Sequence, residues 1–548
     1  MTTLKRISTQ VLIIGAGPTG LTLANLLGQA NVDTLIIDRK PGTVTEPRAV
    51  SIDDESLRTM QAVGLDAAVL RDVVAGYGVH YFTRPGGRCF GKVEPTGKLY
   101  GFAKRNAFRQ PLFENTLKIG LERFASLSVR FEHELLGFTQ DQHGVHALMR
   151  DASGQLYDVS AAYMVACDGG RSPVRKQLGI QMVGSSFSSR WLVVDTDQDS
   201  DPFWQTRVYC DARRPVVEVP GPHRTRRFEF LLKADETDEQ MLSPDRLQAL
   251  LRPFKGDTPV SVVRKTVYAF HARVAERWQV DRVFLAGDAA HLTPPYAGQG
   301  MNSGVRDAHN LAWKLISVLK GKIAETALLS YESERRDHAW ALIKLALHLG
   351  LVMAPASVLR ARLISGAFRV ISLLPPLRDY FLQMRFKPKP RFTKGLVLSA
   401  GEAGTLSCGQ MFPQPLLSDA QGQEALLDAS IGPGFALIQY ADQREQGFDE
   451  LQHYLWTHLE AKRILILPPH AQPWPSVPGC TVLHDRQGQL QALLAGSTRF
   501  LLLRPDRYIA AIFDPSGEAS TAAALQSVMG IALAINSEVE PTNAALVH

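Results

Sequence analysis

The sequence predicts an α/β protein in which one domain carries an inserted β-sheet and a further α/β unit follows at the C-terminal end. A short apolar strand at 10–14 enters a glycine-rich turn and then a helical segment. Residues 185–270 contain a succession of short strands, and from about residue 395 strands and helices alternate again. With 548 residues, the chain is long enough for about three or four folding units.

The N-terminal strand, turn and helix are typical of a Rossmann-like dinucleotide-binding domain. The turn has the sequence GAGPTG at 15–20, and a second apolar strand at 34–37 ends at Asp38. The glycines allow a pyrophosphate to lie on the helix N-terminus, and the acid can accept hydrogen bonds from ribose hydroxyls. The order of strand, glycine turn, helix, strand and acid therefore predicts a bound dinucleotide.

A second motif, RVFLAGDAAHLTPPYAGQGMNSG at 282–304, is the most informative part of the chain. An apolar strand leads to Gly287 and Asp288, and a loop rich in glycine and proline then leads to a helix that opens near Met301. We expect Gly287 to let a bulky ligand approach the backbone and Asp288 to bind ligand hydroxyls. The loop glycines are expected to turn the helix N-terminus, with its free N–H groups and positive dipole end, toward the same place. A ligand with a polyol and a ring that becomes anionic, such as a reduced flavin, suits this arrangement.

A third motif lies between the other two, with the sequence VACDGGRSPVR at 165–175. An apolar strand again delivers an Asp-Gly pair at Asp168, and two arginines follow that could face phosphate. A tight turn with a solvated basic rim explains the same residues, so this motif leaves both interpretations open.

In this order, GAGPTG, DGGRSPVR and GDAAHLTPP resemble the single-component flavoprotein aromatic hydroxylases of the p-hydroxybenzoate hydroxylase type. The resemblance narrows to members that act on meta-hydroxylated phenylpropanoid acids, and it runs nearly end to end. It is carried by PRAVSIDDESLRTMQAVGL from Pro47, RRFEF from Arg226, AGQGMNSGVRDAHNLAWKL from Ala297 and MRFKPKP from Met384. The loop at Pro295-Tyr296-Ala297 is less bulky in this chain than in those members.

The resemblance implies a tightly but non-covalently bound FAD, with NADH or NADPH as a transient co-substrate and dioxygen as the oxidant. A phenolic acid would be hydroxylated ortho to its hydroxyl. No second glycine fingerprint is present, since Gly432-Pro433-Gly434 lacks the third glycine. The motifs and the resemblance together place the cofactor contacts at Gly15, Ala16, Gly17, Gly20, Asp38, Arg39, Arg48, Gln110, Asp168, Asp288, Gly300, Met301 and Asn302.

Tyr268 is the leading candidate for contact with the phenol, because it lies near the end of the last inserted strand, at a spacing from Asp288 similar to that of the family's substrate-contacting tyrosine. His271 could relay the proton, since an unperturbed imidazole titrates near neutrality. Arg214 is favoured over neighbouring arginines for the substrate carboxylate, and Pro294 and Pro295 are expected to line the pocket. A packed tyrosine and a structural histidine remain alternative interpretations.

The flavin motifs also define the predicted domains. The FAD-binding domain comprises 1–184 and, with a helical region, 271–394, while the substrate-binding sheet comprises 185–270. Residues 395–548 resemble the thioredoxin-like C-terminal domain of phenol hydroxylase relatives. Because this segment has no CxxC pair, we expect a role in packing or in a homodimer rather than dithiol chemistry.

Composition excludes several other classes of protein. The net charge of +6 arises from scattered Lys and Arg without a nucleic-acid motif, so no nucleic-acid partner is expected. The five cysteines are far apart, which argues against a zinc site or a disulfide framework, and no metal is expected. The apolar stretch at 341–356 is too short and too polar to span a bilayer, and the first ten residues lack a signal-peptide core. A cytoplasmic enzyme without a membrane partner is the expectation.

Three alternative functions remain at the level of sequence. A flavin-dependent halogenase would share the first motif, but its tryptophan-rich lysine motif is absent after the first helix. A polyketide or anthracycline-type hydroxylase would share all three motifs and the C-terminal domain, differing in pocket size. A non-catalytic FAD-binding redox protein would bind flavin without substrate-stimulated NAD(P)H oxidation.

Overall fold

A computed structural model describes residues 5–442, 447–471, 479–494 and 496–532. The end of the predicted C-terminal domain, 533–548, lies outside the described residues. The strands in chain order are β1 (Lys5–Ile14), β2 (Thr34–Asp38), β3 (Ser51–Asp53), β4 (Val73–Ala75), β5 (Val79–Phe82), β6 (Cys89–Val93), β7 (Arg105–Phe108), β8 (Leu127–Phe131), β9 (Glu134–Gln140), β10 (Val145–Arg150), β11 (Leu156–Ala166), β12 (Met182–Asp197), β13 (Thr206–Tyr209), β14 (Val216–Pro220), β15 (Arg226–Leu231), β16 (Ser261–Ala275), β17 (Gln279–Val280), β18 (Val283–Leu285), β19 (His291–Leu292), β20 (Glu402–Ala403), β21 (Leu406–Ser407), β22 (Leu416–Ser418), β23 (Glu424–Leu426), β24 (Ala436–Tyr440), β25 (Lys462–Leu467), β26 (Cys480–His484), β27 (Phe500–Leu503) and β28 (Ile509–Phe513).

The helices in chain order are α1 (Pro18–Gln29), α2 (Asp54–Ala62), α3 (Asp66–Leu70), α4 (Gln110–Leu121), α5 (Pro173–Gln177), α6 (Asp238–Met241), α7 (Pro244–Lys255), α8 (Gly300–Leu319), α9 (Ser330–Met353), α10 (Val358–Ser372), α11 (Pro375–Leu382), α12 (Leu427–Ile431), α13 (Leu455–His458), α14 (Gln491–Leu494) and α15 (Glu518–Met529). Five short 3-10 turns connect some of these elements in the described chain.

The first sheet is built around β1, which pairs in parallel with β2 on one side and β11 on the other. Its strand order is β17-β18-β11-β1-β2-β8, and β10 and β9 extend it from β11 as an antiparallel pair. Val11, Leu12 and Ile13 are fully buried, as expected for a central strand that is covered on both faces. The three motifs found in the sequence meet here, because β1, β11 and β18 are neighbours and each motif begins where one of them ends.

The inserted sheet has the strand order β19-β16-β12-β15-β14-β13-β5-β6. It therefore differs from the predicted range 185–270, because β5 and β6 come from the first segment of the chain and β5 pairs in parallel with β13. Such long-range pairing leaves no local signal in the sequence. Helices α6 and α7 contribute to the apolar layer on one face of the sheet, while Trp191, Val208 and Val219 face the other side.

The C-terminal sheet has the order β23-β22-β26-β25-β24-β27-β28. Strands β24, β25 and β26 are parallel, while β27 and β28 are antiparallel to β24 and to each other. One face packs against the first domain, where Trp313 of α8 joins Leu437 and Phe500 in a single apolar cluster.

An ion network fixes the contact between α8, α9 and the C-terminal sheet. Glu334 of α9 lies 2.8 Å from Lys314 of α8 and 2.8 Å from Arg504, which in turn lies 2.6 Å from Asp506. The side chains of Lys314, Glu334 and Arg504 are fully buried. Because unpaired buried charges are costly, these groups make the docking of the C-terminal unit specific.

In the described part of the chain, no single helix is long and apolar enough to cross a membrane. The helical segments Glu325–Met353 and Val358–Ser372 satisfy the length and composition criteria only together, and they are bent by 108° at the break between them.

Candidate active site

The glycine turn after β1 forms an open cradle. A Cβ atom on Gly15 would lie 2.3 Å from the carbonyl oxygen of Cys167, and one on Gly20 would lie 2.0 Å from the carbonyl oxygen of Gly15. Both glycines are therefore required by close backbone packing, and Gly15 also has a φ of +108°. A Cβ on Gly17 would meet nothing within 4 Å, so this side of the turn is free for a phosphate group.

Asp38 is held at the end of β2 beside this turn. One carboxylate oxygen accepts a hydrogen bond of 2.9 Å from the backbone N–H of Ala16, and the other accepts one of 2.9 Å from Lys40. The acid thus occupies the position that the fingerprint predicts, and the Ala16 N–H is already used within the protein. Arg39 follows it with an exposed side chain.

The structure shows why residue 287 must be a glycine. Its φ is +61°, and a Cβ would lie 2.5 Å from the hydroxyl oxygen of Thr19 on α1. A Cβ on Gly304 of α8 would lie 2.2 Å from the same atom. Gly287 is therefore needed for its backbone conformation and for the close packing of α1 and α8.

Asp288 is the clearest candidate ligand-binding group in this region. Its side chain is solvent-accessible although Gly287 and Ala289 on either side are buried, so it faces an opening within the fold. No side-chain hydrogen bond is made by this carboxylate to the described residues. Burial raises the pKa of Asp288, while His291 and Arg48 oppose that rise.

The N-terminus of α8 is fixed by Asn302. Its side-chain oxygen accepts from the backbone N–H of Asp53 at 3.0 Å and from the hydroxyl of Ser56 at 2.8 Å. Its amide nitrogen donates to the carbonyl oxygens of Ser51 and Gly298 at 3.0 and 2.8 Å. The side chain of Asn302 is therefore used to join α8 to α2, which leaves its backbone N–H, with those of Gly300 and Met301, as the groups that an α-helix cannot pair internally.

Two neighbouring acids support the same junction. Asp53 caps α2 by accepting from the N–H of Ser56, and Asp54 is the first helical residue. Asp53, Asp54 and Glu55 lie close enough to form a metal-like cluster, but Arg306 and Lys387 are paired with Asp53 and Glu55. These cations take the place that a metal ion would need.

A side chain of α4 fixes the position of the loop that carries Arg48. Gln110 accepts from the backbone N–H of Ala49 at 2.6 Å and donates to Glu114 at 2.7 Å. Its amide is thus occupied by the protein, and it positions the loop. The side chain of Arg48 is exposed, while its carbonyl oxygen accepts from Arg227 at 2.5 Å.

Asp168 lies at the end of β11, as the third motif predicts. One of its oxygens accepts from the N–H of Val174 at 3.3 Å, and the other is buried without a hydrogen-bond partner in the described residues. Burial raises the pKa of Asp168 to about 6. A buried oxygen without a donor indicates that a further donor belongs to this site.

A cluster of three aromatic side chains covers the face of the inserted sheet that points away from α7. Trp191, Phe270 and Tyr296 lie 5.7 to 6.1 Å apart between ring centroids. Tyr268 pairs with Trp191 across β16 and β12, so both side chains lie on this face, and the Tyr268 hydroxyl contacts Arg264. Tyr296 follows Pro294 and Pro295, which brings that loop to the same face.

Two residues that the sequence predicts to act together with Tyr268, His271 and Arg214, do not lie beside it in the structure. His271 is three residues away on the same strand, so its side chain lies on the opposite face, and a direct proton relay between the two has no geometric support. Arg214 donates to both oxygens of Glu236, at 2.6 and 2.5 Å, and its charge is therefore already paired.

Sequence reasoning missed Glu229, which lies in the middle of this face. It pairs with Val193 and Val217 on the neighbouring strands, and its only ion pair among the described residues is with Arg227 at 3.8 Å. Burial raises the pKa of Glu229. Its place in the alternation of RRFEF was the one available signal, because residues 227 and 229 must share a face.

A small cleft lies between this sheet and the loop at 47–50. Its lining includes Val50, Arg109, Val219 and Arg227. The cleft thus lies next to the Arg48 loop and at the edge of the face that carries Tyr268.

Comparison with known proteins identifies the family. Residues 8–346 match the family model described as FAD binding domain, and 409–528 match the HcaD C-terminal domain. The chain is 40% identical to the 3-(3-hydroxy-phenyl)propionate/3-hydroxycinnamic acid hydroxylase of Shigella sonnei (strain Ss046), with 95% of each chain covered. It is 38% identical to the protein of the same name from Klebsiella pneumoniae (strain 342), over 97% of this chain and 96% of that one.

Solved structures agree at the level of the fold. The flavin-dependent monooxygenase PieE in complex with FAD and substrate matches with a TM-score of 0.79 at 21% identity, over 96% of this chain and 99% of that one. Aklavinone-11 hydroxylase in complex with FAD and aklavinone matches with a TM-score of 0.77 at 22% identity, over 97% and 100%. The resemblance inferred from the three motifs is confirmed, and the chain belongs to the FAD-dependent aromatic hydroxylases, in one family with the 3-(3-hydroxyphenyl)propionate/3-hydroxycinnamic acid hydroxylases.

Proposed function

We propose that this enzyme hydroxylates 3-(3-hydroxyphenyl)propionate to 2,3-dihydroxyphenylpropionate with NAD(P)H and dioxygen. The observation that carries this proposal is the 40% identity over 95% of the chain to hydroxylases named for that substrate. The site supports it, because the free carboxylate of Asp288 and Tyr296 of the aromatic face both lie in the segment that leads into α8. The reaction would add oxygen ortho to the phenol hydroxyl.

The residues present fit FAD. The open side of Gly17 would receive the pyrophosphate and Asp38 the adenosine ribose, while the unpartnered Asp288 carboxylate would accept hydrogen bonds from the ribityl chain. The first N–H groups of α8 would stabilise negative charge on the reduced ring. Bound FAD, reduced by NADH or NADPH, would supply the activated oxygen.

The protein's own contribution is to hold the phenolic ring and exclude water. Tyr268 is assigned to the substrate, with Arg264 beside its hydroxyl. Arg227 and Arg264 are the guanidinium groups on the face of Tyr268, so we assign the substrate carboxylate to this pair instead of Arg214. Both arginines are paired with Asp195, at 2.7 and 3.5 Å, just as Arg214 is paired with Glu236, so the choice rests on the face that they share with Tyr268.

The test is substrate-stimulated NAD(P)H oxidation over a panel of phenolic acids and tricyclic phenols, with analysis of the products. We expect 3-(3-hydroxyphenyl)propionate to yield the catechol with the highest kcat/KM. A preference for tricyclic phenols would favour the polyketide-type alternative, and FAD binding without stimulated oxidation would contradict the proposal. In Tyr268→Phe, FAD content should be unchanged while the share of NAD(P)H that ends as hydrogen peroxide rises.

We further propose that the C-terminal unit is thioredoxin-like in fold and has no dithiol activity. Parallel β24 and β25, followed by antiparallel β27 and β28 and by α15, support this assignment. Burial raises the pKa of both Cys408 and Cys480 to about 11, which disfavours the thiolate. Measurable reduction of insulin disulfides by the purified enzyme would contradict this view.

A further inference from the structure

Helices α10 and α11 carry a continuous apolar surface that faces solvent. Leu359, Leu363, Val370, Leu373, Leu374 and Leu377 are between 45% and 78% exposed, and we call these six residues the α10–α11 surface. No residue of either helix is buried. Apolar patches of this extent on a protein surface mark interaction sites.

The inner side of α10 packs against the inserted sheet. Phe368 lies 6.1 Å from Tyr81 and 5.8 Å from Phe90 between ring centroids, so α10 packs on β5 and β6 of the inserted sheet. The α10–α11 surface lies on other positions of the same helices, spaced by three, four and seven residues, as expected for a stripe on one side. The stripe therefore has no packing role within the described part of the chain.

Positive charge surrounds this surface. Arg360, Arg362 and Arg369 are exposed on α10, which contains neither Asp nor Glu, and the one acid of α11, Asp379, is paired with Arg378 at 3.6 Å. The adjoining β5–β6 hairpin adds Arg84, Arg88 and Lys92, all exposed. An apolar stripe flanked by arginines on a helix is the pattern of an amphipathic helix that lies in the interface of a bilayer.

We propose that the α10–α11 surface docks the enzyme on a lipid bilayer that contains anionic headgroups. The leucines would enter the boundary between headgroups and acyl chains, and the arginines would pair with lipid phosphates. A second copy of the chain is the less favourable occupant, because a twofold contact would bring the same arginines together across the interface. Adsorption in the membrane plane requires no spanning helix.

The test is sedimentation of the FAD-loaded enzyme with vesicles. Wild-type enzyme should bind vesicles of phosphatidylglycerol and phosphatidylethanolamine at least tenfold better than vesicles of phosphatidylcholine, and binding should weaken as salt is raised. Leu359→Asp with Leu363→Asp should abolish binding. Leu136→Asp, at an exposed leucine of β9, is the matched control and should bind like the wild type.

Retained FAD absorbance in each variant shows that it is folded. Equal binding to anionic and neutral vesicles, or full binding by the double variant, would overturn the proposal. Absence of vesicle binding, combined with a dimer that the double variant converts to monomer in analytical ultracentrifugation, would assign the surface to a second copy and overturn it as well.

Discussion

At the scale of single residues, the site combines groups that the protein satisfies with groups that it leaves without partners. Asp38, Asn302 and Gln110 have their polar atoms engaged by the protein. Asp288 and Glu229 do not form side-chain hydrogen bonds to the described residues. Carboxylates that the protein leaves without donors are therefore candidates for ligand contact.

Asp288→Ala should weaken FAD binding by roughly tenfold to a hundredfold, since hydrogen bonds to a charged group contribute about 1.5–3 kcal/mol. The measurement is the FAD-to-protein absorbance ratio after gel filtration. Asp257→Ala, at an exposed acid near the end of α7, is the control and should retain its flavin. Full occupancy in Asp288→Ala would remove the ribityl assignment.

Glu229→Gln should raise the free energy of unfolding of the FAD-free protein near neutral pH. Burial raises the pKa of Glu229 in the fold above its ordinary value of 4.5. As the pH rises through 4.5, the unfolded chain releases this proton before the folded protein does, so the wild type loses stability while the variant does not. Denaturant titrations at pH 4 and pH 7.5 should show an advantage for the variant only at the higher pH.

At the scale of elements, α8 connects the site to the rest of the molecule. Its N-terminus lies at the site, and Asn302 joins it to α2. About two turns further along, His309 lies 3.1 Å from the hydroxyl of Thr59 on α2, and about one turn beyond it Trp313 packs on the C-terminal sheet. The same helix thus connects the C-terminal sheet with the proposed flavin site.

His309 should make this junction sensitive to acid. Burial lowers the pKa of His309 to about 4, from 6.5 in the unfolded chain. As pH falls below 6.5, the unfolded chain takes up a proton that the folded protein does not, so stability declines toward pH 4. Compared with His309→Gln, the wild type should lose about 2 kcal/mol more between pH 7 and pH 4.5. Parallel pH profiles for the two proteins would contradict this prediction.

At the scale of the whole molecule, the C-terminal unit is held by buried charges as well as by apolar contact. Glu334→Gln would leave Lys314 and Arg504 without their shared anion. Removing one partner of a buried ion pair costs about 3–5 kcal/mol, and we expect that loss in the free energy of unfolding. The exposed pair of Glu134 and Arg150 is the control, because Glu134→Gln should cost less than about 1 kcal/mol. Equal effects of the two substitutions would argue against the network as the basis of docking.

The sequence by itself determined the features that depend on neighbours along the chain. The glycine turn, the acid at the end of β2, the cap at Asp53 and the strand before Asp288 are local patterns, and the structure contains each of them. The three motifs in their order along the chain were enough to predict the family through their resemblance to flavoprotein aromatic hydroxylases, and that prediction is confirmed.

Only the tertiary structure decided which partner each polar group takes. Glu236 pairs with the guanidinium group of Arg214, and the backbone N–H of Ala49 donates to the side chain of Gln110. Residue 287 must be a glycine because Thr19, more than 250 residues away in sequence, packs against it. The parallel pairing of β5 with β13 and the solvent exposure of the leucines on α10 likewise depend on the assembled fold. Hydrogen bonds, charge pairing and burial depend on groups that are distant in sequence, so no local pattern could have shown them.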